Sequence, residues 1–294
     1  MKEKRLYHTK DYEELYTIHE DTVEQKIENL RDSNIAKYRV KSIWSGDMLE
    51  VEAYPLFKTP IGKRARKSKS STESQKRLND RNTIKHVTRL VHTNFTDKDL
   101  WTTWTYKNEN LPSDHKEAKK DMTNFIRRLR YWLSKQEEYK GFDLKYVYVT
   151  EVDEDKKVRV HHHMITNFPD RDVMEDLWNG GGRSQTRRLQ PDDMGLEGLV
   201  RYILKENKKK KTKRYTISRN MKQPKVTIAD SKMTRKRSER LAREEVSAQE
   251  MFEKWYPNYK FNDMEVKFSE FMSGAYIYVR MKRIEPLIQT KKRE

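Results

Sequence analysis

The chain has 294 residues, of which 64 are Lys or Arg and 46 are Asp or Glu, a formal net charge of +18. That surplus points to a polyanionic partner, and the absence of cysteine excludes thiol chemistry, disulfides and Cys-ligated zinc. Charged residues at 37% against 34% hydrophobic ones leave a modest core, while 11% aromatic residues exclude wholesale disorder. No run approaches membrane-spanning length, the N-terminus lacks the apolar core of a signal peptide, and no basic amphipathic helix with a broad apolar face stands out. A soluble, cytoplasmic protein that binds nucleic acid and no membrane is expected.

Residues 1–60 read as a small helix-hairpin unit. Leu15, Ile18, Val23, Ile27 and Leu30 recur at weakly amphipathic helical spacing. Segments 37–44 and 48–55 then flank Ser45-Gly46-Asp47, a hairpin signal. Residues 61–93 join a basic, Ser/Thr-rich linker or phosphate-binding arm to a helix carrying Val87, Leu90 and Val91.

A main domain spans 94–230. Its first strand, 100–106, is rich in β-formers, and Pro112 follows as a breaker. Asp114 and Glu117 form a capping box that opens a helix. Along it Ala118, Met122, Phe125, Leu129, Trp132 and Leu133 recur as a core stripe, while Lys119, Lys120, Arg127, Arg128 and Arg130 occupy other faces. Gly141 is read as its end.

Segments 145–151 and 158–168 form a hairpin around a charged tip at 153–157. Alternation puts Val158, Val160, His162 and Met164 on one face and Arg159, His161, His163 and Ile165 on the other. The hairpin brings Glu151 beside His161 and His163. Two imidazoles and a carboxylate suit a divalent cation with positions left open for substrate, although a His-x-His pair alone also occurs as ordinary packing.

Residues 171–178 read as helix and 179–183, with three glycines, as a flexible loop. The P-loop spacing G-x-x-x-x-G-K-[ST] is absent from the chain, so neither a nucleotide-driven motor nor a nucleotide cofactor is expected. In a helix over 196–207, Leu196, Leu199, Val200, Ile203 and Leu204 share one side. Tyr202 falls at the edge of that stripe beside Lys205, placed either to meet a phosphate as a nucleophile or to pack as a rim tyrosine. Lys208, Lys209, Lys210, Lys211 and Arg214 form a run suited to a nucleic-acid backbone. Residues 215–224 read as strand and turn, with Arg219 and Asn220 offering phosphate and base contacts. Tyr215 competes as nucleophile, but alternation packs it. The remainder, 231–294, reads as a charged helix over 234–255 and a hairpin whose Phe271, Tyr276 and Tyr278 cover a sheet in preference to stacking on bases. The fold class is α+β: an antiparallel sheet with helices packed on one face, plus N- and C-terminal extensions.

Three motifs over 94–224 carry a resemblance. The chain resembles rolling-circle replication initiators of the HUH (His-hydrophobic-His) endonuclease superfamily, of phage and plasmid type. Strand 101–106 with Leu111 and Pro112 corresponds to the first motif, 159–165 to the histidine motif, and 199–205 to the tyrosine motif. His162 stands where the family has a hydrophobic residue. Gly198 stands where phage members often carry a second tyrosine, so a single-tyrosine enzyme is implied. The resemblance implies that 94–230 is an HUH endonuclease domain holding Mg²⁺ or Mn²⁺ on Glu151, His161 and His163. It further implies that Tyr202 attacks single-stranded origin DNA to leave a 5′-phosphotyrosine and a free 3′-hydroxyl, with Lys205 stabilising phosphate charge. A host helicase and polymerase would then act with it. A transposase or relaxase of the same chemistry, and a non-catalytic nucleic-acid-binding regulator, are the alternative readings.

Overall fold

Alternation along the chain sets its strands, and two antiparallel sheets result. The computed structural model describes residues 35–57, 73–152, 159–204, 215–268 and 274–285. The expected helices of 11–31, the basic stretch 58–72, the hairpin tip 153–157 and Phe271 lie outside the described residues. In chain order the elements are β1 (Ile35–Ser45), β2 (Met48–Phe57), α1 (Glu73–Asn94), β3 (Leu100–Tyr106), α2 (His115–Lys135), β4 (Tyr146–Glu151) and β5 (His161–Thr166). There follow α3 (Arg171–Asp176), β6 (Gly181–Arg188), α4 (Glu197–Leu204), β7 (Thr216–Ile217), β8 (Lys225–Ala229), α5 (Arg235–Ala242), α6 (Ala248–Trp255), β9 (Tyr259–Phe268) and β10 (Ala275–Arg283). The α+β class expected from the sequence is borne out. Among the described residues no helix is long and apolar enough to cross a membrane.

The chain divides into two units, one of residues 1–89, 193–195 and 224–294, the other of 90–192 and 196–223. In the first, the strands run β8-β1-β2-β10-β9, so hairpins from opposite ends of the sequence share one sheet. The first hairpin turns at Gly46, whose φ of 58° suits glycine. Val40, Leu49, Val51, Ala53, Ile277 and Val279 form its core with Leu241 of α5 and Phe252 of α6. The single helix expected over 234–255 is two. Glu244 takes a left-handed φ of 59°, and the Ser247 hydroxyl accepts from the Glu250 amide to start α6 anew. Tyr276 and Tyr278 are buried beside Tyr54.

On β2 the residues Glu50 and Glu52 alternate with apolar ones, a pattern that ordinarily sends carboxylates to water. Here both are buried, because the wholly buried Arg89 of α1 lies between them. Its Nε donates to Glu50 Oε1 at 2.9 Å and its Nη2 to Glu52 Oε1 at 2.8 Å. The Tyr278 hydroxyl also donates to Glu50, at 2.6 Å. Burial alone would raise the Glu52 carboxyl, but the charges of Arg89, Lys41 and Lys85 outweigh it and hold that group at about 2.

In the second unit the order is β6-β3-β5-β4-β7. The α2 helix starts as its capping box predicts: Asp114 accepts from the Glu117 amide at 2.7 Å, and the Glu117 carboxylate accepts from the Ser113 amide at 2.7 Å. It buries Ala118, Met122, Phe125, Ile126, Leu129 and Leu133. It ends at Lys135, before a short 3₁₀ turn, and Gly141 serves that later turn with φ of 77°. Its stripe packs on Leu100, Trp104, Tyr148 and Met164, and α3 adds Met174 on the same face. The glycine stretch 179–183, expected as a loop, instead begins β6. A Cβ on Gly182 would stand 2.5 Å from the backbone of Thr105 and Tyr106, so only glycine lets this edge strand close on β3.

Arg89→Met would strand two buried carboxylates, and an expected loss of about 3–5 kcal/mol should appear in urea unfolding. Since the Glu52 group is depressed, its contribution in the native protein is present above the ordinary carboxylate value. It fades as pH falls from about 5 towards 2. An Arg89→Met protein as stable as the native one would refute this account.

Candidate metal and tyrosine site

Register fixes this site. β4 pairs with β5 so that Glu151 faces His161 and Val149 faces His163. On the other side β3 pairs with β5, placing Thr103 opposite His163 and Trp101 opposite Ile165. Cross-strand partners share a face, so Glu151, His161, His163, Thr103 and Trp101 all project to the side away from α2.

The side chains converge accordingly. Glu151 Oε2 lies 2.9 Å from His161 Nε2, and Oε1 lies 3.7 Å from His163 Nε2. The three potential ligand atoms all fall within 4.8 Å of one another. His161 Nδ1 donates to the Arg159 carbonyl at 2.8 Å, which leaves the Nε2 lone pair facing Glu151. His163 Nδ1 lies 3.0 Å from Thr103 Oγ1, and a proton donated there likewise leaves Nε2 free. Burial holds His163 down at about 4, against the pull of the Glu151 carboxylate, so the ring is neutral near pH 7. Two neutral imidazoles and one carboxylate are a donor set that fits a divalent cation.

His162 does different work. It is fully buried on the α2 face, with Nε2 2.7 Å from the Tyr106 hydroxyl and Nδ1 3.0 Å from Thr150 Oγ1. Tyr106 donates onward to Asp121 at 3.2 Å, so His162 Nε2–H donates to the phenol and Nδ1 accepts from Thr150. Burial, reinforced by the neighbouring histidines, pushes the His162 ring down to about 3 and keeps it neutral. One imidazole thus ties β5 to β3 and to β4, directly behind the three convergent groups.

The α4 helix takes the opposite face from α2. The Leu196 amide donates to His92 Nε2 at 2.8 Å, and Val200, Ile203 and Leu204 are buried. Tyr202 is therefore turned outward and is 56% exposed. Its ring centroid lies 5.4 Å from that of His163 and 6.2 Å from that of Trp101, edge-on to both.

Glu151, His161, His163 and Tyr202, singled out in the sequence, thus meet on one face. Lys205, Lys208, Lys209, Lys210, Lys211 and Arg214 lie outside the described residues. Arg219 is exposed, whereas the Asn220 amide is engaged with the Leu144 carbonyl at 3.0 Å and with Asp143. Tyr215 is half-buried beside the edge strand β7. Sequence reasoning missed Thr103 and Trp101. Both share a parity within β3, but only the β3–β5 pairing, absent from any local signal, aims that parity at the histidines.

Residues 99–218 match a family model described as Replication-associated protein ORF2. That span holds every strand of this sheet and α4. The resemblance drawn from the motifs is borne out at that level, and the segment is consistent with a rolling-circle replication initiator. No curated protein and no solved structure matches the chain.

The three histidines should separate by experiment. His162→Ala leaves buried Tyr106 and Thr150 groups unpaired, and a loss of about 1–3 kcal/mol in thermal unfolding is expected. His161→Ala should cost little stability and remove Mn²⁺ binding in calorimetry. Equal stability losses in the two variants would contradict this division of roles.

Proposed function

We propose that the protein initiates rolling-circle replication by nicking and rejoining single-stranded origin DNA, with Tyr202 as nucleophile and Glu151, His161 and His163 as metal ligands. The observation that carries this reading is the exposed Tyr202 phenol standing beside His163, on the face where the three ligand groups converge. A Mg²⁺ or Mn²⁺ held there supplies Lewis-acid polarisation of the scissile phosphate.

The chain's own residues do the rest. Thr103 and the Arg159 carbonyl hold the two imidazoles with Nε2 turned to the site. The edge of Trp101 limits the swing of the Tyr202 ring. The phenolic oxygen of Tyr202 forms a bond to phosphorus as the bond from phosphorus to the 3′ oxygen breaks. The phenol proton passes to solvent, and the departing 3′ oxygen takes one up as a hydroxyl. A polymerase extends that hydroxyl, and attack by a 3′-hydroxyl on the phosphotyrosine reverses the step and reseals the strand. Lys205, three residues after Tyr202, is assigned to charge on the phosphate. Lys208, Lys209, Lys210, Lys211, Arg214 and Arg219 are assigned to the DNA backbone. Without a P-loop in the sequence, strand separation falls to a host helicase. A cytoplasmic location and a catalytic domain over 94–230 belong to the same reading.

A labelled single-stranded origin oligonucleotide with Mn²⁺ tests it on a denaturing gel. Native protein and Tyr215→Phe should give a covalent adduct, and Tyr202→Phe should not. An adduct that survives Tyr202→Phe and disappears with Tyr215→Phe would reassign the nucleophile. His163→Ala should abolish cleavage yet keep most of the salt-sensitive DNA binding, which the basic surface supplies.

A further inference from the structure

The outer side of α2 has no part in the site just described. At about 100° per residue, Lys116, Lys120, Thr123, Arg127, Arg130 and Ser134 fall within a sector of about 80°. All six are exposed. This ridge lies opposite the buried stripe of Ala118, Phe125 and Leu129. It contains no carboxylate, and none of its four cations is within ion-pair distance of one among the described residues. Like charges one turn apart, as in Lys116/Lys120 and Arg127/Arg130, oppose helix formation. Folding alone therefore gives no reason for the row.

We propose that this ridge is a second nucleic-acid surface, one that lies along the phosphates of duplex DNA. From Lys116 to Arg130 the helix rises about 21 Å, presenting a straight, rigid row of charge at turn-by-turn intervals. A duplex offers a matching regular line, with one phosphate charge per about 1.7 Å of axis. A single strand calls instead for a run of stacking aromatics, and Tyr131 is the one exposed aromatic side chain on α2, 65% exposed at the ridge's flank. The aromatic groups beside the histidines, Trp101 and Tyr202, are on the other face of the sheet. Duplex and cut strand thus have separate faces of one domain. The duplex surface rests on the nicking reading only for its biological setting.

The test is fluorescence anisotropy of the full chain in EDTA, with a blunt duplex of about 20 base pairs and a single strand of equal length, across about 50–200 mM salt. In the fourfold Lys116→Gln, Lys120→Gln, Arg127→Gln, Arg130→Gln protein, duplex affinity should drop at least about tenfold. The slope of log affinity against log salt should flatten by about 0.9 for each phosphate no longer neutralised. Single-strand affinity and Mn²⁺-dependent cleavage of a single-stranded oligonucleotide should stay within about twofold, since the ridge touches neither. A companion protein with Lys and Arg exchanged at the four positions should bind duplex like the native chain. Unchanged duplex binding in the Gln protein overturns the proposal, as does an equal loss for single strand and duplex, or a loss in the exchanged protein. Because the measurement needs neither metal nor Tyr202, an inactive phenol would leave its outcome intact.

Discussion

Everything in the second unit depends on the ladder that holds β5 between β3 and β4. Its register sets Glu151 opposite His161 and Thr103 opposite His163. A slip of one residue in either pairing would turn the ligand groups to the α2 face and His162 to the other. Burial enforces the register. His162, Met164, Trp104 and Tyr148 are packed under α2, so any shift would drive polar groups into that core. The site is thus a by-product of packing on the reverse side of the same strands.

His162 shows how a departure from a motif is absorbed. A hydrophobic residue would fill the position by contact alone. The imidazole there requires two partners, and it finds Tyr106 on β3 and Thr150 on β4, each beside a residue that lines the opposite face. Fixing these neighbours restrains the strands that present Glu151 and Thr103. The same burial that excludes water from His162 and His163 keeps both rings neutral, the form in which an imidazole nitrogen offers a lone pair.

Charge is handled in opposite ways in the two units. In the first, Arg89 is drawn inside and satisfied by Glu50 and Glu52, a closed arrangement that is costly to break and offers nothing to a ligand. In the second, the cations of α2 face water with no counter-charge at hand. Net positive charge across the chain is therefore a poor guide to function by itself; which cations are already answered decides where a polyanion is received.

The sequence by itself determined much. Alternation in 145–151 and 158–168 is a local property of strands, so it placed the hairpin and separated His161 and His163 from His162. The spacing of Leu199, Val200, Ile203 and Leu204 likewise left Tyr202 outside the buried stripe, and Asp114 with Glu117 marked the start of α2. Tertiary structure alone decided the rest, because pairing between distant segments has no local signature. It joined β1 and β2 to β9 and β10, buried Glu50 and Glu52 around Arg89, and made an edge strand of a glycine-rich stretch read as a loop. It also put Thr103, Trp101 and Tyr202 against His163. These contacts arise from long-range apolar burial, which neither periodicity nor propensity in a short window can register.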